Sequence, residues 1–284
     1  MISLRKQQGV NLVELMVVGF LMVLIGYFMI QIMHSSNESS SRSDGIAQAH
    51  ETARLALAWL HQDLKRAGFS ADLQEPRTQP FADICTGANN VPPNLNGNCT
   101  FESTLASDND RLAILRTFST DSDDPKDSMD CTGADLTGTI GLIPEESILA
   151  DVYWVDRDRD STSGTSDGDD FDDVLRCATY NHATGVALNS ATLASGVEGL
   201  QAIYAESDAG FGTASAYVSA DRVDMNNVYA IRVSILSRSF SDFALDQVAR
   251  SYILLDASPY TFTDRVPRQI LTTTTALKNY SEQQ

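Results

Sequence analysis

The chain has 284 residues, 43% of them hydrophobic, which is enough to build a large buried core and too many for an intrinsically disordered protein. Acidic residues outnumber basic ones by 38 to 20, giving a formal net charge of -18. A phosphate backbone would be repelled by most of such a surface, so direct nucleic-acid binding is not expected.

The first nine residues, Met1-Ile-Ser-Leu-Arg-Lys-Gln-Gln-Gly9, are polar and basic, and a long apolar run begins only after them. An ordinary secretory signal places its apolar stretch before the cleavage site and ends in small residues; here Gly9 precedes the stretch and no Ala-x-Ala pattern follows it, so the apolar segment is kept. Leu12 to Met33 reads LVELMVVGFLMVLIGYFMIQIM. As a helix it is long enough to cross a hydrocarbon core of about 30 Å. Arg5 and Lys6 lie just before it, so the positive-inside rule leaves the N-terminus cytoplasmic and exports everything after about Ser35.

Glu14 is a carboxylate inside this apolar run. One reading pairs it with a cationic α-amine, made by cleavage between Gly9 and Val10, on a neighbouring helix of the same kind; that makes Glu14 a docking device. The other reading is an interfacial Glu that reaches the headgroups.

The segment Arg5-Lys-Gln-Gln-Gly9-Val10-Asn-Leu-Val-Glu14-Leu-Met resembles the class III signal of type IV prepilins, with its basic leader ending in Gly, an apolar residue next, and Glu fifth in the mature chain. The resemblance implies that a membrane-embedded prepilin peptidase cuts after Gly9 and methylates the new amine of Val10, and it favours the docking reading of Glu14. The family prefers Phe where this chain has Val10, and Thr or Ser where it has Asn11.

His34 to Gly45, HSSNESSSRSDG, is polar and rich in weak helix formers, and predicts a bend or a locally melted helix. Beyond it Ile46, Ala49, Ala53, Leu57, Leu60 and Leu64 recur at three- and four-residue spacing, placing one apolar stripe on a helix that ends near Gly68. Trp59, beside Leu57 and Leu60, is expected in the core. Residues 1–9 are thus a leader, 10–34 a membrane and assembly half, 35–68 an amphipathic half, and 69–284 an exported globular domain.

From Phe69 onward short β-type runs alternate with Gly, Asn, Asp and Pro clusters. Strands are predicted at Arg111 to Arg116, Ile148 to Val155, Val174 to Tyr180, Leu200 to Ala205, Val228 to Leu236, Ser251 to Leu255 and Ile270 to Leu277. Alternation of Ile231, Val233 and Ile235 marks a strand with one face under the helix. The fold class is therefore α+β, a long N-terminal helix packed on an antiparallel sheet, which is the fold that the prepilin resemblance also implies.

Cys85, Cys99, Cys131 and Cys177 all follow the apolar segment and include no Cys-x-x-Cys pair. Two disulfides formed in an oxidising compartment are expected, against the alternative of four buried thiols. Three pairings are open; Cys85 with Cys99 and Cys131 with Cys177 entangles the chain least.

Four further blocks narrow the resemblance. Glu51 to Phe69 (ETARLALAWLHQDLKRAGF), Val197 to Tyr204 (VEGLQAIY) with Val228 to Leu236 (VYAIRVSIL), and Arg268 to Asn279 (RQILTTTTALKN) are similar to PilW-type minor pilins. That branch implies a low-abundance minor pilin that primes assembly of a type IV pilus and caps its tip. Its partners would be the prepilin peptidase, other minor pilins, the major pilin and a tip adhesin. Its location would be a single pass through the bacterial inner membrane with the domain in the periplasm, then the pilus. Twitching motility, adhesion and DNA uptake would be downstream effects. A J-type minor pseudopilin of a type II secretion system shares this architecture and stands as the alternative, as does a dedicated tip adhesin.

Between Asp156 and Asp173 carboxylates are dense, and Asp156, Asp158 and Asp160 sit at alternate positions from which one loop can wrap a hard cation, with Asp167 twelfth. Calcium is the candidate. Ser161 replaces the turn glycine of such loops, Asp167 is shorter than the usual Glu, and Arg157 and Arg159 offset charge, so the loop reads first as a solvated acidic hairpin. No catalytic residue and no other cofactor are expected. His34, His50, His61 and His182 lack a His-Glu-x-x-His spacing, no phosphate-cradling loop or Gly-x-Ser-x-Gly elbow is present, and Gly210-Phe-Gly212 lacks a third glycine.

Overall fold

The structure, a computed structural model, describes residues 11–70, 79–86, 97–103, 108–121, 124–139, 143–157, 173–206, 214, 216–240 and 247–277. Leu12–Leu64 form one helix, α1, of 53 residues, about 80 Å long at about 1.5 Å per residue. The expected membrane half and domain half are both helical, and so is the link between them: residues 34–45 continue the helix without a melted turn. The serines there are almost all exposed, so water rather than the helix backbone can serve their hydroxyls. Strong helix on both sides carries the weak formers through. The helix stops at Gly68, whose φ of 72° lets the chain turn away and donate its N–H to Leu115 O at 2.8 Å.

Among the described residues ten strands follow: β1 (Leu112–Thr117), β2 (Ile148–Arg157), β3 (Asp173–Asn181), β4 (Ala187–Ser195), β5 (Val197–Glu206), β6 (Ala216–Val218), β7 (Val228–Arg238), β8 (Val248–Tyr252), β9 (Tyr260–Asp264) and β10 (Arg268–Ala276). The expected long helix on antiparallel β-structure is present. The strands form two four-stranded antiparallel sheets, in the orders β1-β2-β3-β4 and β10-β7-β5-β6, and a separate β8-β9 hairpin. The sheets stay apart because side chains cap the edge of β5: Asn109 Oδ1 accepts from Leu200 N at 3.0 Å and Asp110 Oδ2 from Ala202 N at 2.8 Å. Residues 80–82 cover the outer edge of β1 through Leu115 N to Pro80 O and Ala82 N to Ala113 O, both 2.9 Å.

One core joins the helix to both sheets. Ala53, Leu57, Leu60 and Leu64 from α1 meet Leu112 and Ile114 of β1, Leu175 of β3, and Ile231, Val233 and Ile235 of β7. Burying each leucine contributes about 2 kcal/mol. The stripe starts one residue earlier than expected: Gly45 is buried, while Ile46 is 36% exposed. A Cβ on Gly45 would come within 3.0 Å of Ser239 Oγ and 3.1 Å of Pro267 Cγ, so the helix reaches the β7 end of the sheet only where it lacks a side chain. The last sheet-facing carbonyl of that approach is also satisfied, with Ser237 Oγ donating to Ala49 O at 2.6 Å.

Candidate assembly interface

The interface is built on α1. From Leu12 to Met33 nearly every side chain is exposed, and the most apolar window of the helix has none of its surface covered by the rest of the chain. Glu14 lies in the first helical turn, where the exposed N–H groups and the positive end of the helix dipole stabilise a carboxylate. At the far end of the apolar half Gln31 Nε2 donates to Tyr27 Oη at 3.0 Å, one turn apart, so two polar tips satisfy each other. Gly9 and Val10, expected as the processing site, lie outside the described residues.

Besides the shared apolar core, a buried ionic network ties this rod to the domain. Near the C-terminal end of α1, Asp63 accepts from Arg66 Nη2 at 2.6 Å and from the hydroxyl of Tyr153. Burial pushes the Asp63 carboxyl above its ordinary value, with Asp151 adding to the effect and Arg66 and Tyr153 opposing it. Arg116, with no exposed surface, donates to Asp151 Oδ2 at 2.6 Å, to Asp127 O at 3.1 Å and to Met129 O. Thr179 Oγ1 completes the site, donating to Asp151 Oδ1 at 2.5 Å while accepting from Cys131 N at 2.9 Å. Two arginines and two aspartates thus join α1, β1, β2, β3 and the loop 124–136 in one buried network. Trp59 belongs to the same region but is half-exposed rather than in the core, because its indole Nε1 donates to Cys131 O at 3.0 Å at the surface.

Cys85 is bonded to Cys99 and Cys131 to Cys177. Closing loops of 14 and 46 residues removes unfolded-state entropy worth about 3 and about 4 kcal/mol respectively. The first bridge ties residues 79–86 to residues 97–103, and the second ties the loop bearing Met129 to β3.

Of the candidate calcium ligands only Asp156 is among the described residues, and its carboxylate accepts from Arg176 Nη1 at 3.0 Å; Asp158, Asp160 and Asp167 lie outside them. Among the described residues no three His, Cys, Asp or Glu side chains converge as a metal site. The histidines are dispersed: His61 Nδ1 meets Thr275 Oγ1 at 2.6 Å, and His182 Nδ1 meets Asn98 Nδ2 at 3.1 Å.

Two charged clusters had no counterpart in the sequence reading. Arg268 makes paired contacts with Asp264 at 2.7 Å and with Glu198, and stacks 3.6 Å over the Phe262 ring. Glu102 and Asp110 face each other across the Phe101–Arg111 bridge. Burial raises both: Glu102 to about 7, with Asp256 and Asp221 adding to the rise, and Asp110 well above its ordinary value, with Glu102 and Asp256 adding. The available signal was two acids, Glu102 and Asp110, shortly before an apolar strand, which periodicity alone reads as a loop.

The model of the family described as Type IV Pilus-assembly protein W matches residues 152–279, which hold β3 to β10 and most of β2. Among solved structures, the type IV-like pilin TTHA1219 from Thermus thermophilus is similar at 11% identity and a TM-score of 0.42, covering 82% of this chain and 98% of that one. No curated protein matches by sequence. Over residues 152–279 the chain is thus similar to the type IV pilus-assembly protein W family, and those residues carry most of the two antiparallel sheets that stand behind the long exposed N-terminal helix.

Proposed function

We propose that the chain is a minor pilin that primes assembly of a type IV pilus and sits at its tip, joined to other minor pilins by parallel packing of N-terminal helices. In this reading the prepilin peptidase cuts between Gly9 and Val10 and methylates Val10. Residues 10–34 then hold the subunit in the inner membrane, with the domain periplasmic until the filament forms. Glu14 pairs with the amine of a neighbouring subunit. The observation that carries the reading is the apolar half of α1, which the rest of the chain leaves uncovered and which therefore needs lipid or other helices around it. A carboxylate within it is costly in lipid and inexpensive beside a cationic partner.

Mass spectrometry of the mature N-terminus, together with a Glu14→Ala variant, tests this. The expected result is a chain beginning at N-methylated Val10, with the variant exported normally and incorporated into pili at least tenfold less. A native chain still carrying Met1, or full incorporation of the variant, would refute the reading. Loss of pili with secretion intact on gene deletion is expected, and the converse phenotype would transfer the chain to a type II secretion system.

A further inference from the structure

The two disulfides differ in their surroundings. Cys131 and Cys177 are 1% and 0% exposed and belong to the shared core, whereas the other bridge joins a buried residue, Cys85, to a half-buried one, Cys99. Against that second kind of bridge lies Arg111, itself only 3% exposed. One guanidinium nitrogen, Nη2, donates to the sulfur of Cys85 and to that of Cys99, the latter at 2.8 Å, while Nε donates to Cys99 O at 2.9 Å.

Disulfide sulfurs are neutral and accept hydrogen bonds weakly, so they offset little of what it costs to desolvate a guanidinium. Burial pulls Arg111 down to about 10, with Tyr180 opposing. A thiolate in the same place carries a full charge and accepts a charge-assisted hydrogen bond. Arg111 therefore stabilises the reduced bridge more than the oxidised one. A cysteine beside a guanidinium also has a lowered thiol pKa, which makes it the better leaving group when the bond is attacked.

Exposure sets the direction of attack. Of the two cysteines Cys99 is the one that solvent reaches, so an incoming thiolate meets Cys99, and Cys85 departs in the buried position beside Arg111. The backbone of the site is held without the bridge: Cys85 N donates to Thr100 O at 2.7 Å, Thr100 N to Asp83 O at 3.1 Å, and Asn98 Nδ2 to His182 O at 2.7 Å. Opening the bond thus leaves the two cysteines side by side and able to reclose.

We infer that the Cys85–Cys99 bridge is a thiol–disulfide exchange site for an external dithiol, with Cys99 Sγ the sulfur attacked and Arg111 holding Cys85 as the leaving thiolate. One thiolate of the reagent forms a new S–S bond to Cys99 as the Cys85–Cys99 bond breaks, and the electron pair of the broken bond goes to Cys85. The reagent's second thiol then displaces Cys99 and closes the reagent's own disulfide. The dithiol loses two electrons and the bridge gains them; of the two protons released, one goes to Cys99 and the other to solvent.

The test uses the full-length chain in detergent at neutral pH, treated with dithiothreitol or with glutathione, capped with iodoacetamide and analysed by peptide mass spectrometry. With dithiothreitol the Cys85–Cys99 bridge is expected to open faster than Cys131–Cys177 by about tenfold or more. With glutathione the mixed disulfide is expected on Cys99 and the cap on Cys85. Arg111→Gln is expected to slow opening of the first bridge, relative to the second, by about tenfold, and Arg111→Lys, which keeps the charge, to restore most of the rate. Equal rates at the two bridges, a glutathione adduct on Cys85, or an Arg111→Gln chain that opens the first bridge as fast as the parent would each overturn the assignment. A variant that fails to fold opens both bridges at one rate, and the position of the adduct on the unaltered chain then decides.

Discussion

Replacing Arg116 by Met removes a cation with no solvent exposure and leaves Asp151, equally buried, facing only Thr179 and an arginine nitrogen 4.0 Å away on Arg66. Breaking a buried ion pair from one side costs about 3–5 kcal/mol, because the remaining charge keeps its desolvation penalty. The carbonyls of Asp127 and Met129 each lose a donor as well, at about 1 kcal/mol apiece. A loss of about 5 kcal/mol is therefore expected, against a total of about 5–15 kcal/mol for a domain. In urea titrations of the detergent-solubilised full chain, followed by tryptophan fluorescence, the midpoint should fall by about 2 M for a slope of about 2–3 kcal/mol/M. Adding Asp151→Asn to the same chain should recover more than half of the loss. The amide is neutral and still accepts from Thr179. A single-variant loss below about 1 kcal/mol, or no recovery in the double variant, would refute the claim that uncompensated charge governs this site.

The carboxylate pair at the β1 edge predicts a pH dependence. Glu102 is raised from 4.5 to about 7, so its contribution to stability is complete below about pH 4.5 and is lost as pH rises through 7. That gap corresponds to about 3 kcal/mol, which solvent screening at a partly exposed group reduces to about 1–2 kcal/mol. Asp110 is shifted in the same direction by its burial. Glu102→Gln should thus be more stable than the parent at pH 8 and flatten the profile between pH 5 and 8; an unchanged profile in urea titrations would count against it. Replacing Cys131 and Cys177 by Ala should cost about 4 kcal/mol, and replacing Cys85 and Cys99 about 3 kcal/mol, from the lengths of the loops they close. Thermal melts of the two double variants check the order, and a larger loss from the shorter loop would refute the entropic account.

The strands that sequence reveals are those whose apolar content is set by burial. β1, β2, β3, β5, β7 and β10 all lie within a few residues of their predicted positions, and each supplies side chains to the shared core or to its flanking clusters. β4, with the sequence Ala-Leu-Asn-Ser-Ala-Thr-Leu-Ala-Ser, escapes because it is small, polar and mostly exposed, and pairs through its backbone with β3 alone. β8 begins at Val248 rather than Ser251, since its register is set by pairing with the unpredicted β9. Spacing places Ile46 in the core stripe and adjacency to Leu57 and Leu60 places Trp59 there, and both depart from it for a local reason: Gly45 makes the close approach in one case, and an indole hydrogen bond holds the ring at the surface in the other. The Arg116–Asp151 network joins residues 35 apart with residues of α1 and of the loop 124–136, and no sequence periodicity encodes such a meeting.

The polar contacts also decide how the rod stands on its domain. Gly45, Ala49, Ala53 and Ala56 form a smooth stripe, and small apolar surfaces of this kind discriminate weakly against a slip of one helical turn, about 5.4 Å. Such a slip would separate Ser237 from Ala49 O, His61 from Thr275, and Tyr153 from Asp63, leaving buried donors and a buried carboxylate without partners. At about 1–3 kcal/mol for each unsatisfied neutral group and more for the charge, these three contacts outweigh what the alanines distinguish. Hydrophobic burial therefore attaches α1 to the sheets, while hydrogen bonds and ion pairs fix its height and rotation. Because the helix is unbroken from Leu12 to Leu64, the direction in which the apolar half points away from the domain is set about 45 Å away, by these polar side chains.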